Sequence, residues 1–227
     1  MTQVTQTVKT ISLTMPLKLG SVNCYLVQGS TGFALIDSGV SSRRADLDRE
    51  IESAGCGPGC LQLIVLTHGD FDHSGNAAYL RAKHGARIAM HRDDVGMVER
   101  GDMFWNRKKT NIVIRMLAPL LFGFGRSGRF SPDLHVGDGG DLSEYGFEAQ
   151  VVHIPGHSQG SIGVLTAAGD LFCGDLLENT DKPALGSLVD DHAAMQASVE
   201  QLGRLGIGTV YPGHGRPFPM ELLPEVG

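Results

Sequence analysis

The stretch Thr67-His68-Gly69-Asp70-Phe71-Asp72-His73 places two imidazoles and two carboxylates within six consecutive positions, directly after the apolar run Leu61–Leu66. Imidazole nitrogen and carboxylate oxygen are the donors that hold zinc, iron or manganese. Left unpaired, four such groups at one strand end would suffer like-charge repulsion or lost hydration, costs that a cation offsets. The fully apolar run before them reads as a strand buried on both faces of a sheet. The segment is therefore expected to form half of a metal site.

Working outward, three single-residue signals share one grammar, each lying after an apolar strand-like run and beside glycine. They are His157 in Ile154-Pro155-Gly156-His157-Ser158, Asp175 in Phe172-Cys173-Gly174-Asp175, and His214 in Pro212-Gly213-His214-Gly215. Glycine before the side chain lets the backbone turn tightly, so that a strand-end group can point into a common cleft. A single histidine of this kind is more often a hydrogen-bonded structural residue. The shared pattern is what argues for ligands.

Together with Ile36-Asp37-Ser38-Gly39, these pieces make the chain resemble the metallo-β-lactamase-fold superfamily of hydrolases. All five motifs occur in that family's order, and they span nearly the whole chain. The resemblance implies an α+β fold, an αββα sandwich of two mixed sheets with helices outside and a metal cleft along one edge. Position by position, it implies one ion held by His68, Asp70 and His157, a second by Asp72, His73 and His214, and Asp175 bridging both. Asp37 matches a structural residue at a strand end, although a turn-capping aspartate explains it equally well.

The departure from the family is Asp70, where the usual His-x-His-x-Asp-His motif carries a second histidine. With two divalent ions and a bridging hydroxide, three aspartates neutralise the formal charge of the centre; a histidine at position 70 would leave it one unit positive. A less positive centre acidifies water less strongly. Zinc is the metal the resemblance implies first, while the added oxygen donor favours iron or manganese.

By resemblance, the chain is a binuclear metal-dependent hydrolase. A metal-bridging hydroxide would attack the substrate, and Asp72 would orient that water or accept its proton. A small ester, thioester or lactone with an apolar part suits an insertion, at about 93–130, that is rich in Met, Leu, Ile and Phe. The alternative is a non-haem iron redox enzyme, diiron or persulfide-dioxygenase-like, on the same fold. Asp70 supports it, whereas the lack of a flavodoxin-like domain and of the usual histidine argue against it.

The bulk properties agree with a small-molecule enzyme. The 227 residues fit one domain, 1–227, and 41% hydrophobic with 19% charged residues is ordinary for a globular protein. A net charge of -6 argues against a nucleic-acid partner. The start Met1-Thr2-Gln3-Val4 lacks the charged and apolar regions of a secretory leader, and no apolar run approaches the ~20 residues that span a bilayer. Cytoplasmic localisation with reduced thiols is the expectation. Cys24 and Cys173 read as core residues; Cys56 and Cys60 share a Gly/Pro turn in which a disulfide or zinc pair is the minor reading.

Strands are predicted at Val8–Leu13, Asn23–Gln28, Phe33–Ile36, Leu61–Leu66, Arg87–His91, Phe147–Ile154, Ser161–Thr166, Leu171–Cys173 and Thr209–Tyr211. Helices are predicted at Ser41–Ser53, Gly75–His84 and Asp191–Leu205. A helical insertion at about 93–130 breaks this rhythm. It comprises a helical turn at Asp93–Glu99, Trp105 beside Arg107-Lys108-Lys109, and the apolar stretch Ile112–Phe124. It reads equally as extra core, as a homodimer packing surface, or as a lid beside the site. The basic run is expected to be a solvated face, unless the insertion folds over the cleft, where it would be a candidate to hold a substrate carboxylate. His84 and His192 are expected on helix surfaces, His153 along its strand, and Asp93-Asp94 as a helix start that also accounts for His91.

Overall fold

The computed structural model describes residues 6–108 and 128–224. The first half forms a sheet from β1 (Thr7–Thr14), β2 (Ser21–Gln28), β3 (Phe33–Ile36), β4 (Leu61–Val65), β5 (Arg87–Met90) and β6 (Leu134–His135), in that order. The first three strands are antiparallel meanders; β3 to β6 run parallel. Parallel neighbours need a crossover, and α1 (Arg44–Ser53) and α3 (Ala77–His84) supply it for β3–β4 and β4–β5. Between β4 and α3 lies the four-residue helix α2 (Phe71–Ser74), and after β5 comes α4 (Val95–Arg100).

The second half forms a sheet in the order β13 (Phe218–Pro219), β12 (Thr209–Pro212), β9 (Asp170–Gly174), β8 (Ile162–Thr166) and β7 (Ala149–His153). Only β9 and β12 pair in parallel, joined through α5 (His192–Leu202). A small ribbon of β10 (Leu177–Glu178) and β11 (Ala184–Leu185) lies between β9 and α5 in the chain.

The period-2 alternation of strand side chains divides the interior into three layers. Ala34, Ile36, Leu63, Val65 and Ala89 of the first sheet meet Ala149, Val151, Ile162, Val164 and Phe172 of the second. On the opposite face, Leu35, Ile64, Ile88 and Met90 pack on Leu47 and Ile51 of α1 and Leu80 of α3. Behind the second sheet, Val152, Leu171, Cys173 and Val210 cover Met195, Val199 and Leu202 of α5. This is an αββα sandwich, as expected from the sequence.

Three details differ from expectation. The predicted helix Gly75–His84 begins at Ala77, and a separate four-residue helix, α2, which the sequence reading did not place, precedes it. His84 is buried rather than on a helix surface, at 7% exposure. The short strands β6, β10, β11 and β13 carried too few residues to show periodicity. All four cysteines are free, with Cys56 buried beside the helix α1 core. Of the expected insertion, residues 109–127 lie outside the described residues, and with them the stretch Ile112–Phe124 and its suggested role between subunits. Among the described residues, no helix is long and apolar enough to cross a membrane.

Candidate metal centre

Every sequence-predicted ligand lies at or just beyond the carboxyl end of a strand. His68 and Asp70 follow β4, and Asp72 and His73 sit on α2; His157 follows β7, Asp175 follows β9 and His214 follows β12. The two sheets are tied at this edge by the Ile162 N–H donating to Thr67 O at 2.8 Å. Close approach at the centre requires glycine at one position. A Cβ on Gly213 would collide with Asp175 Oδ1 and His73 Cε1.

Six of the seven side chains fall into two donor sets, and the seventh, Asp70, lies beside the first with its Oδ2 3.1 Å from His157 Nε2. Ligand atoms of His68, His157 and Asp175 lie within 4.8 Å of one another, as do those of Asp72, His73 and His214. Asp175 joins the sets: its Oδ1 is 3.2 Å from His73 Nε2 and its Oδ2 is 3.3 Å from His214 Nε2 and 3.9 Å from His68 Nε2.

Hydrogen bonds behind the imidazoles assign their tautomers. His73 Nδ1 donates to Asp37 Oδ2 at 2.8 Å, His157 Nδ1 to Leu188 O at 2.8 Å, and His214 Nδ1 to Ser21 O at 2.8 Å. His68 Nδ1 lies 3.0 Å from Thr67 Oγ1, whose own proton goes to Asp37 Oδ2 at 2.8 Å, so Thr67 accepts from His68. All four rings therefore turn Nε2 toward the cleft. Two of these nitrogens, on His68 and His73, are buried with no hydrogen-bond partner, as is Asp175 Oδ1. Buried polar atoms without a partner, facing one another, are costly in a closed protein, and a cation would satisfy them. The donor chemistry fits a divalent metal ion.

Electrostatics agree. Burial disfavours charge on these groups, yet Asp175, Asp37 and Asp72 together hold His73 well above the ordinary imidazole range. Burial likewise opposes protonation of His214, but Asp175 and Asp72 push it up to about 10. Asp175, against its own burial, is held well below the usual carboxylate range by His73 and His214. The carboxylates thus draw protons onto the rings, and a metal ion competes with those protons.

Two residues that sequence reasoning did not place in the site organise it. Asp94 is fully buried and accepts from Gly69 N (3.1 Å), Ser158 Oγ (2.6 Å) and Gly160 N (2.8 Å). It fastens the β4 loop to the β7 loop. Arg107, expected on a solvated face, instead reaches into the cleft. Its Nη2 donates to Asp70 Oδ1 at 2.9 Å and Oδ2 at 2.8 Å, and lies 3.1 Å from His157 Nε2. Burial raises the Asp70 carboxyl, but the Arg107 charge and the His157 and His68 contacts hold it well below its usual range. Asp37 is bound to Thr67 and His73 rather than merely capping a turn, with Thr67 N donating to its Oδ1 at 2.8 Å.

His91 and His153 lie outside this centre, stacked with centroids 4.3 Å apart and planes within 9°. Parallel rings direct their lone pairs side by side rather than at one point. With Asp93 they form a third group of potential donors, but the stacked geometry does not favour chelation.

The sequence profile described as the Metallo-beta-lactamase superfamily matches residues 17–214. The chain belongs to that superfamily. Among its relatives, acyl-coenzyme A thioesterase MBLAC2 of Bos taurus is 30% identical over 230 residues, covering 88% of this chain and 75% of that protein. Hydroxyacylglutathione hydrolase GloC of Haemophilus influenzae is 27% identical over 168 residues, covering 72% of this chain and 70% of that protein. The structure of TTHA1623 in a di-iron-bound form is similar at 28% identity and a TM-score of 0.72, covering 94% of this chain and 96% of the other. This metallo-β-lactamase superfamily member is a metal-dependent hydrolase.

Proposed function

We propose that this protein hydrolyses acyl thioesters of small molecules, using a metal centre built from His68, Asp70, Asp72, His73, His157, Asp175 and His214. The observation that carries the reading is the convergence of four Nε2 atoms, each fixed by an outward Nδ1 contact, on Asp72 and Asp175. Similarity to a thioesterase and to a hydroxyacylglutathione hydrolase supports a substrate whose acyl group is bound to a thiol.

A divalent ion supplies Lewis acidity in such a site, lowering the pKa of a water molecule and polarising the acyl oxygen. The chain's residues supply the rest. Asp175 stands between the two donor sets and fixes their spacing. Asp72, 3.5 Å from His214 Nε2 at the more open side of the cleft, is placed to accept the proton of the attacking water. The side chains of His214 and Asp72 are 18% and 10% exposed, against 1% and 3% for His157 and Asp70, so substrate approaches over the second set. The mixed nitrogen and oxygen donors accommodate zinc, iron or manganese. The acidic balance of the chain favours a small molecule over nucleic acid as partner.

The test is a hydrolase screen of metal-loaded protein across acyl-thioester, lactone, β-lactam and phosphodiester substrates, repeated after chelation. Thioester turnover that vanishes with chelation and returns with metal is the expected result. Turnover confined to another substrate class, or unaffected by chelation, would overturn the proposal.

A further inference from the structure

The Asp70–His157 side of the first donor set already holds a cation from the chain itself. Arg107 Nη2 is 2.8–2.9 Å from both oxygens of Asp70 and 3.1 Å from His157 Nε2. His157 Nδ1 is committed to Leu188 O, which leaves Nε2 facing both Arg107 Nη2 and Asp70 Oδ2, each at 3.1 Å. A metal ion would bind the same lone pairs at about 2.0–2.2 Å. An ion there would sit within contact distance of Nη2 and repel its charge. The two cations are mutually exclusive.

The segment that carries Arg107 is anchored rather than loosely apposed. Lys108 N donates to Asp190 Oδ1 at 2.7 Å, and Gln159 Nε2 donates to Asn106 O at 2.8 Å. The Trp105 ring lies against Gly96, with the Arg100 guanidinium 3.6 Å from its centroid. The Arg107 side chain is itself only 8% exposed. No cationic side chain reaches the second donor set among the described residues, and its mouth is the more open one; His73 Nε2 and Asp175 Oδ1 there, like His68 Nε2 in the first set, have no hydrogen-bond partner.

We propose that Arg107 takes the place of the first metal ion, so that the protein carries one ion per chain, held by Asp72, His73, His214 and Asp175, beside a guanidinium that serves as the second cation. This rests on the metal-centre reading of the cleft. It also explains Asp70. A histidine at that position would present a neutral ring, whereas a carboxylate with two acceptor oxygens matches a guanidinium amino group. Asp70 and Arg107 form one device, and removing the arginine leaves His68, Asp70 and His157 free as a second ion site.

Metal stoichiometry tests this independently of catalysis. Ion-free protein is titrated with zinc or manganese, and bound metal is counted by elemental analysis after desalting. The expected result is one ion per chain for the unaltered protein, and two for Arg107→Ala and Arg107→Gln, with the new step at least tenfold tighter than any second step in the parent. Lys108→Ala, which removes a neighbouring exposed cation, should stay at one. Two tightly held ions in the unaltered protein would overturn the proposal, as would one ion in both Arg107 variants. Should those variants fail to fold, the manganese-loaded parent still decides by electron paramagnetic resonance: an isolated six-line signal supports one ion, and an exchange-coupled pair refutes it. A negative hydrolase screen would leave these counts intact, so the two proposals fail separately.

Discussion

His73 Nδ1 and Asp37 Oδ2 lie 2.8 Å apart with both side chains closed to solvent, and this contact decides which nitrogen of His73 faces the cleft. Asp37 adopts a left-handed backbone at φ 58°, a conformation unfavourable for a residue with a Cβ. The position tolerates that strain because its carboxylate holds Thr67 and His73 together. Asp37→Ala should therefore weaken metal binding by about 10–100-fold, the usual effect of losing a carboxylate behind a ligating imidazole. Competition against a chelator measures it, and unchanged affinity would reduce Asp37 to a turn residue.

Asp175→Ala removes the group shared by both donor sets. Loss of tight metal binding and of thioester turnover together is the expected outcome, with folding followed by circular dichroism. A variant that retained the parent's metal affinity would show that Asp175 is not a ligand.

Asp94→Ala tests the bracket between the two ligand-bearing loops. It leaves Gly69 N, Gly160 N and Ser158 Oγ without their acceptor. At about 1–3 kcal/mol for each buried donor stranded, with partial relaxation, a loss of roughly 3 kcal/mol is expected. The melting temperature of a chain this size should fall by roughly 6–12 °C. A fall of a degree or less would mean that water or a rearranged loop replaces the carboxylate.

The metal-free protein should respond to pH in a defined direction. His73, His157 and His214 are held above the ordinary imidazole value, His214 at about 10. Groups raised on folding stabilise fully below their unfolded pKa of about 6.5, and that stability is lost as pH rises through the folded values. Asp70 and Asp175 are depressed, so their contribution is present above about 3.8–3.9 and is lost as pH falls further. Thermal melts of chelated protein should thus be highest between about pH 4 and 6.5 and decline toward pH 10. Metal affinity should run oppositely, tightening as pH rises and the rings lose protons. Melting temperatures that climb from pH 6.5 to 10 without metal would contradict the assignment.

The sequence made the ligand positions legible because strand-end donors beside glycine form a local pattern, visible without any knowledge of distant contacts. The layered fold followed from strands whose alternate residues are apolar on both sides, such as Leu63-Ile64-Val65. Asp94 and Arg107 were hidden for the opposite reason. An aspartate at a helix start and an arginine in a basic run each have an adequate local explanation, and their partners lie 25 to 66 and 37 to 50 residues away. Asp70 announced an irregularity, but the charge that completes it comes from a segment with no periodicity. His84 was misplaced because an eight-residue helix gives only two turns from which to read a face.

Arg107 has a consequence for supply. A centre that needs two ions fills in proportion to the square of the free metal concentration when metal is scarce, whereas a centre needing one fills in simple proportion. An arginine is synthesised with the chain, is never chelated, and does not exchange with the cell's ion pool. With Arg107 as one of the cleft's two cations, the working fraction of this protein would be far less sensitive to metal starvation than that of a two-ion arrangement on the same fold.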